Sequence, residues 1–475
     1  MRAYPMILIF CFTFGAVSCS VAATTRYVSL DGTNDAVGGY TNWPGAATNL
    51  QTVVDASTDG DTILVSNGTY TIASGAQVVN INKSLDVRGE YGRAITIIDG
   101  SAARRCVTMG VNSAGNPICL TGFTIRNGAT NVGAGVYAQY VRDMYISDCV
   151  ISNNISTSHG GGLRSDATGT LIVSNCVICN NTNYADGGAM YMAGPIRVLN
   201  STIINNTARS GGAGRFFDET LFQACVISSN VTSVGAGGIL GSQSGSKKIV
   251  INQCTFSDNS SSGSEGGGIS LGSSSNSYIS NCVIRGNTAT YARAGAGICT
   301  RGGGRITGCL IAGNKATTGY GGGIFADGTN ALVCQNLTIV SNTAGSAADG
   351  GGGIFIGAIT NSVMLNSIIF GNSGSAGKSN VVIQAGNFTF TNCCVAPLTS
   401  VVGSGNIEVD PLYANVTNNN YHLQAGSPCI NQGTNMPWMG GATDFDGRSR
   451  IDRFYRQVDM GCYEFLPAGT MVMVH

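Results

Sequence analysis

Gly266-Gly267-Gly268-Ile269-Ser270-Leu271-Gly272, then the polar run Ser273 to Ser277, then Tyr278-Ile279-Ser280-Asn281-Cys282-Val283-Ile284-Arg285-Gly286-Asn287, make up one period of this chain. The three glycines let the backbone turn where a Cβ would clash. Ile269 and Leu271 alternate with Ser270 and Gly272, which is the period of a strand. After the polar turn, Tyr278-Ile279-Ser280 reads as a second strand. Asn281 marks a sharp bend, because asparagine tolerates the left-handed backbone conformation that a tight corner needs. Cys282-Val283-Ile284 then makes a third strand. Three short strands with bends between them cannot build helices or hairpins; they suit one turn of a parallel β-helix.

The period recurs. Nine boxes of small residues followed by an apolar one lie between Gly133 and Ile354, among them Gly160-Gly161-Gly162-Leu163, Gly187-Gly188-Ala189-Met190, Gly321-Gly322-Gly323-Ile324 and Gly351-Gly352-Gly353-Ile354. Each is followed by an asparagine: Asn154, Asn181, Asn206, Asn230, Asn259, Asn287, Asn314, Asn342 and Asn372, at successive spacings of 27, 25, 24, 29, 28, 27, 28 and 30 residues. A fixed period in the twenties means a solenoid whose repeats bury their faces against neighbouring repeats. A second column, Asn175, Asn200, Asn281, Asn336, Asn366 and Asn392, occupies the bend before the third strand. Both asparagine columns are expected to be corner and ladder residues rather than glycosylation sites.

Cysteine follows the same register. Of 17 cysteines, Cys149, Cys176, Cys225, Cys254, Cys282 and Cys309 all lie five residues before a repeat asparagine. Phe123, Ser201, Leu337 and Ser367 fill that slot elsewhere, so the column reads as buried thiols acting as small hydrophobes. Zinc is not expected from a chain with only three histidines and no histidine cluster.

The bulk composition narrows the function classes. Gly is 69 of 475 residues, only 11% are charged, and Lys+Arg and Asp+Glu balance at 25 each. Nucleic-acid binding needs a concentrated basic stripe, which is absent. Residues 1–23 read as a secretory signal peptide, with Arg2 at its start, an apolar run from Met6 to Val17 and Val21-Ala22-Ala23 at the cleavage site. Acylation at Cys19 is a weaker alternative. No transmembrane segment is expected in the mature chain. The solenoid is expected over 24–395, opening with less regular coils such as Tyr27-Val28-Ser29 and Asp61-Thr62-Ile63-Leu64-Val65. A short helix over Asn49 to Ser57 would present Leu50, Val53 and Val54 as a lid, since an open solenoid end would recruit other chains. A C-terminal cap over 396–465 and a tail over 466–475 complete the division.

Two resemblances follow from these motifs. The glycine boxes with Phe256-Ser257-Asp258-Asn259 resemble the repeats of the polymorphic outer membrane proteins, and the opening from Tyr27 to about Gly100 resembles pectate-lyase-like right-handed β-helix proteins. Asp410-Pro411-Leu412-Tyr413, Tyr421-His422-Leu423, Gly426 to Gly433, Asp444-Phe445-Asp446-Gly447-Arg448 and Val458 to Glu464 resemble the choice-of-anchor Q domain. These likenesses imply an all-β fold: a single-stranded right-handed parallel β-helix of about a dozen coils of roughly 27 residues. The anchor-domain likeness implies a bacterial surface or secreted location, and a Cys429–Cys462 disulfide, since both cysteines fall in motifs expected to meet.

Candidate chemistry is sparse. The acids, among them Asp143, Asp148, Asp166, Asp218, Glu219, Asp258, Glu265, Asp327 and Asp349, do not align over consecutive coils as a lyase or glycosidase would require. His159 and Asp186 are expected to stack on adjacent coils with Arg164 nearby, giving the best candidate for acid–base work, although a surface ion pair explains them equally well. Asp444 and Asp446 look like a fragment of a calcium loop or a turn closed by Arg448, the latter preferred; calcium is the only cofactor to consider. The residue after each box's apolar position is expected to point outward: Tyr137, Arg164, Tyr191, Phe216, Leu240, Ser270, Cys299, Phe325 and Phe355. Aromatics dominate this stripe, against 7% in the chain, and exposed aromatics can stack on sugars. Tyr137, Tyr191, Phe216, Phe325 and Phe355 are therefore the candidate ligand-binding residues for a polysaccharide or cell-surface glycan. The expected function is non-catalytic glycan binding or adhesion, the alternative a lyase or hydrolase on an acidic polysaccharide.

Overall fold

A computed structural model describes residues 24–110, 116–140, 143–241, 247–263, 266–272, 277–291, 295–345, 350–374, 379–451 and 455–466. The expected signal peptide and the tail beyond residue 466, with Glu265 and Asp349, lie outside the described residues. The chain winds into a parallel β-solenoid of about 11 turns of about 27 residues each. Among the described residues it contains a single α-helix, Leu50–Ala56.

Among the described residues four parallel sheets run along the axis, where three strands per coil are expected from the sequence. The lead sheet has 15 strands, from Thr25–Val28 to Val402–Ser404. The mid sheet has 13, from Gly68–Tyr70 to Cys394–Val395, and the box sheet 12, from Gln77–Ile81 to Val381–Ile383. The fourth, rim, sheet has nine strands, from Ala129–Val132 to Thr343–Ala344. Its strands follow the ladder asparagine and are Thr-, Ser- and Ala-rich, so they carry too little apolar alternation to announce themselves.

One coil shows the division of labour. Gly160 turns with φ +66°, and Leu163–Ser165 forms the box strand. Leu171–Ser174 is the lead strand, Val177–Cys179 the mid strand and Thr182–Asp186 the rim strand. Leu163, Leu171, Val173 and Ile178 are buried and stack on their counterparts in the next coil. Such continuous apolar columns stabilise the fold at about 25 cal/mol per Å² removed from water. At Gly267 the neighbouring coil leaves no room for a side chain: a Cβ there would lie 2.6 Å from the Ala296 carbonyl oxygen and 2.7 Å from that of Thr288.

The two asparagine columns have different physics. Asn175, Asn200, Asn281, Asn336, Asn366 and Asn392 all adopt φ between +48° and +52°, as the corner demands. The repeat asparagines are instead fully buried or nearly so. Each side-chain amide donates to the carboxamide oxygen one coil on, from Asn154 to Asn181 at 2.9 Å through to Asn342 to Asn372 at 2.9 Å. Asn372 passes the chain to Asn380 at 2.9 Å. Left-handed geometry at this second corner falls on the preceding residue, as at Asn180, Asn205 and Asp258. A buried amide ladder with every donor satisfied fixes the register of each coil.

The cysteine column is buried, and its members are free thiols. The N-terminal end is closed by the helix, whose Asn49 cap accepts from the Gln51 and Thr52 backbone amides and whose Leu50, Val53 and Val54 are buried. The Lys83 ammonium donates to the carbonyls of Val54 and Asp55 at its other end, at 2.9 and 2.7 Å, where cations complement the helix dipole.

Residues after 404 fold back along the mid sheet. Leu310, Ala312 and Val340 pack against Tyr421 and Cys462, and Ile368 against Leu423 and Met460. The corner asparagines anchor this cap. Asn366 exchanges two 2.8 Å bonds with the Thr434 backbone, and Asn392 donates to the Thr434 hydroxyl at 2.6 Å. The segments with anchor-domain resemblance meet within the cap: Ser427 Oγ donates to Pro411 O, Asn431 N to Asp459, and Glu464 N to Asp444.

Candidate functional site

The outer face of the box sheet carries one residue per coil in strict register. Tyr137 pairs with Arg164, Arg164 with Tyr191, Tyr191 with Arg215 and Arg215 with Leu240. Ser270, Cys299, Phe325, Phe355 and Val382 continue the column. Phe216 does not belong to it. Its box ends in Gly214 where the others carry an apolar residue, and Phe216 turns inward, fully buried, to fill the missing volume. A Cβ on Gly214 would lie 2.6 Å from the Phe216 ring. Arg215 is the outward residue instead.

The upper part of the column, with its neighbours, is a half-exposed ladder of guanidinium groups and aromatic rings. Arg105 and Arg164 lie over the Tyr137 ring at 4.9 and 5.5 Å, and Arg164 also lies over Tyr191 at 5.4 Å. Arg215 covers Phe217 at 4.9 Å, and Phe217 contacts Tyr191 with ring centroids 5.2 Å apart. The ring faces are thus occupied by neighbours along the axis. Ring edges rather than open faces are left to solvent, which removes the flat sugar platform expected for Tyr137 and Tyr191.

Two aspartates hold the guanidinium groups. Asp166 accepts from Arg164 at 2.7 Å and from the Tyr137 hydroxyl at 2.7 Å. Asp186 accepts from Arg215 at 2.8 Å. His159 does stack on the coil of Asp186, in register, but its Nε2 is 4.0 Å from the Asp186 carboxylate. Its Nδ1 pairs with the Ser158 hydroxyl at 2.7 Å and its ring packs on Tyr191 at 4.4 Å. Burial and then the nearby Arg164 push the imidazole below its ordinary range, so it is neutral at pH 7. Burial and the bond to Asp166 raise the Tyr137 phenol. Beside the ladder, a groove is lined by Asp166, Thr168, Gly194, Pro195, Asp218 and Lys247.

The lower part of the column is closed. Phe325 and Phe355 are 2% and 3% exposed and stack nearly parallel, centroids 5.4 Å apart. Tyr320 stacks on Phe355 at 4.9 Å. Neither phenylalanine presents a surface to a ligand.

The remaining candidates fall into the cap. Asp444 accepts from the backbone amides of Asp446, Arg448 and Glu464 at 2.8–2.9 Å, and Asp446 pairs with His422 at 2.7 Å. Their oxygens serve the turn that Arg448 closes, so the pair does not fit calcium. Among the described residues no group of three or more His, Cys, Asp or Glu is arranged to hold a metal. Cys429 and Cys462 are both free and lie in separate apolar clusters. Cys429 faces Cys394 of the last mid strand instead, thiol to thiol.

Arg105, Arg215, Asp166 and Phe217 are the site residues that sequence reasoning missed. The glycine at 214 was the available signal for Arg215, because it breaks the apolar pattern of the boxes by one place.

These features define a right-handed parallel β-helix with a C-terminal cap. A family model described as a right handed beta helix region matches residues 218–422. A comparison with curated proteins finds no match. Among solved structures, the crystal structure of the pectate lyase Pel9A is similar at 13% identity and a TM-score of 0.38, covering 93% of this chain and 97% of that one.

Proposed function

We propose that this protein is an exported, non-catalytic polysaccharide-binding β-helix whose binding face is the ladder from Arg105 to Phe217. The observation that carries the reading is the in-register alternation Tyr137, Arg164, Tyr191, Arg215 on a half-exposed sheet face. Polar hydrogen-bonding groups on a rigid, pre-formed surface bind extended chains with little ordering cost. The two carboxylates of the face are committed to guanidinium partners, which suits holding better than proton transfer. The signal-like sequence of residues 1–23 and the anchor-like motifs of the cap are what support display outside the cell.

The test is a panel of polysaccharides read for both retention and chain cleavage, with and without calcium. Retention weakened by Tyr191→Ala and Arg164→Ala, without new chain ends, supports binding. A second reading, a lyase or hydrolase, draws on the neutral His159 beside Arg164 and Asp186; cleavage abolished by His159→Ala would replace the first. Fractionation of the intact protein tests export: retention in the cytoplasm would remove that part of the proposal.

A further inference from the structure

Resting on that reading, we infer that the ladder selects an anionic glycan whose charge alternates, acidic and uncharged residues in turn, lying along the solenoid axis. Successive rungs of a parallel sheet are about 4.8 Å apart. That spacing is close to the rise of one pyranose in an extended chain, so each rung meets one sugar. Tyr137 and Tyr191 occupy alternate rungs, and Arg164 and Arg215 the rungs between and after them. Like groups therefore recur about every 9.6 Å, two rungs. A chain in this register meets a guanidinium at every second sugar and a phenol edge at the sugars between.

The charge balance fits the same ligand. Arg105, Arg164 and Arg215 face two carboxylates, Asp166 and Asp186, and His159 is neutral. A guanidinium has five N–H donors, and Arg215 gives one to Asp186 while Arg164 gives two to Asp166. Donors remain on both for a carboxylate or sulfate of the ligand. The aspartates also oppose anions that crowd every rung. A polymer with a carboxylate on each sugar would set one charge in two beside Tyr191 or Tyr137, where the Asp166 carboxylate accepts the phenol proton. Such a misplaced charge is penalised, which is how specificity against a close relative is built.

The column also sets the length. Above Tyr137 the register position is Thr108, and below Arg215 it is the buried Leu240. Four rungs are available, so the shortest full ligand is a tetrasaccharide.

Calorimetry on the whole protein compares hyaluronan oligosaccharides (uronate alternating with N-acetylhexosamine), oligogalacturonates (uronate at every sugar) and cello-oligosaccharides (uncharged). The expected order is hyaluronan first, with affinity levelling at four sugars and falling about tenfold in Arg164→Gln or Arg215→Gln. Tyr191→Arg places guanidinium groups on three consecutive rungs and is expected to move the preference toward oligogalacturonate. Circular dichroism and thermal unfolding identify variants that fail to fold, and the wild-type ranking stands without them. Oligogalacturonate binding as tightly as hyaluronan would overturn the alternation while leaving the binding face intact. Binding of cello-oligosaccharides with equal strength would overturn the role of charge. No binding by any of the three would remove both this inference and the proposed function.

Discussion

One column of the box sheet, followed from Tyr137 to Val382, passes through two environments without a break in register. Above Leu240 its residues are Tyr and Arg, half exposed and held by aspartates. From Leu240 downward they are buried, ending in the Phe325–Phe355 stack beneath Tyr320. The change that accompanies this lies one sheet away. In the upper coils the rim strands Ile155–His159, Thr182–Asp186 and Thr207–Ser210 run straight into the next glycine box. In the lower coils they shrink to two residues, as in Lys315–Ala316 and Thr343–Ala344, and longer connections follow. Tyr320, in one such connection, folds over the face. The lower half is covered a second time, because the cap lies along the mid sheet there. Connection length therefore accompanies closure from Ser270 downward, whereas Leu240, whose rim strand Val231–Val234 still runs straight into its box, is buried without it.

The largest expected effect concerns that second cover. Glu464 is buried beside Asp459 with its carboxylate 3.3 Å from Arg450, itself fully buried. Burial, and then Asp459, push the Glu464 carboxyl up to about 9, outweighing the attraction of Arg450. The folded state therefore holds a proton that the unfolded chain releases near pH 4.5. The stability this gives is complete below pH 4.5 and is lost as pH rises toward 9. Hydrogen exchange of the whole protein is expected to show residues 410–465 opening earlier than the upper coils as pH rises. Glu464→Gln flattens the slope. A slope unchanged in that variant would place the sensitivity elsewhere.

Next come the buried rings. Phe325→Ala or Phe355→Ala is expected to cost about 3–5 kcal/mol in the lower coils, as for other buried aromatic truncations. Polysaccharide retention is expected to persist. Tyr191→Ala should do the reverse, with a stability cost of about 1 kcal/mol or less and clear loss of retention. If Phe325→Ala abolished retention while denaturation midpoints held, the contrast between the halves would fail.

The cap's thiols offer a test of similar size. With oxidised glutathione as the disulfide donor, Cys394 and Cys429 are expected to cross-link through a mixed disulfide, adding about 3 kcal/mol to cap docking. Peptide mapping should show Cys429→Ser preventing the link and Cys462→Ser leaving it. A Cys429–Cys462 peptide would contradict the packing.

How much of this was legible beforehand follows from the kind of signal each feature leaves. The boxes and asparagines announce the coil because glycine, and a buried amide ladder, are dictated by backbone geometry. Left-handed corners at Asn175 or Asn281 are written in the residue type itself. The rim sheet left no alternation to read, because Thr182 to Asp186 buries little apolar surface. The outward stripe was readable only with its register, and Gly214 shifted that register by one place, making Phe216 look like a surface residue. The closure of the lower half was present as spacing: Asn181 stands six residues before Gly187, but Asn342 stands nine before Gly351. The anchor-like motifs implied a Cys429–Cys462 link; their segments meet through Asn431–Asp459 and Asp444–Glu464 instead, with the two thiols in separate clusters. Which cysteine partners Cys429 could not be read, since the partner belongs to the solenoid.

The smallest expected effect reverses the sign found at Glu464 and so sharpens the contrast between the halves. His159 lies on the open face, where burial and Arg164 lower its imidazole from 6.5. A folded pKa below the unfolded one means that the folded state holds fewer protons. Its contribution is intact above pH 6.5 and is lost as pH falls below that value through the folded pKa. Acid should therefore loosen the upper coils slightly while it secures the cap. An anionic glycan opposes the first trend, since protonated His159 would add a positive charge beside Arg164, and by linkage the ligand raises the imidazole pKa. Imidazole titration by NMR, with and without hyaluronan tetrasaccharide, reads both. An upward shift on binding, absent with a cello-oligosaccharide, puts the ligand's charge on this face; an unmoved titration with a bound ligand would mean that the glycan sits elsewhere on the solenoid.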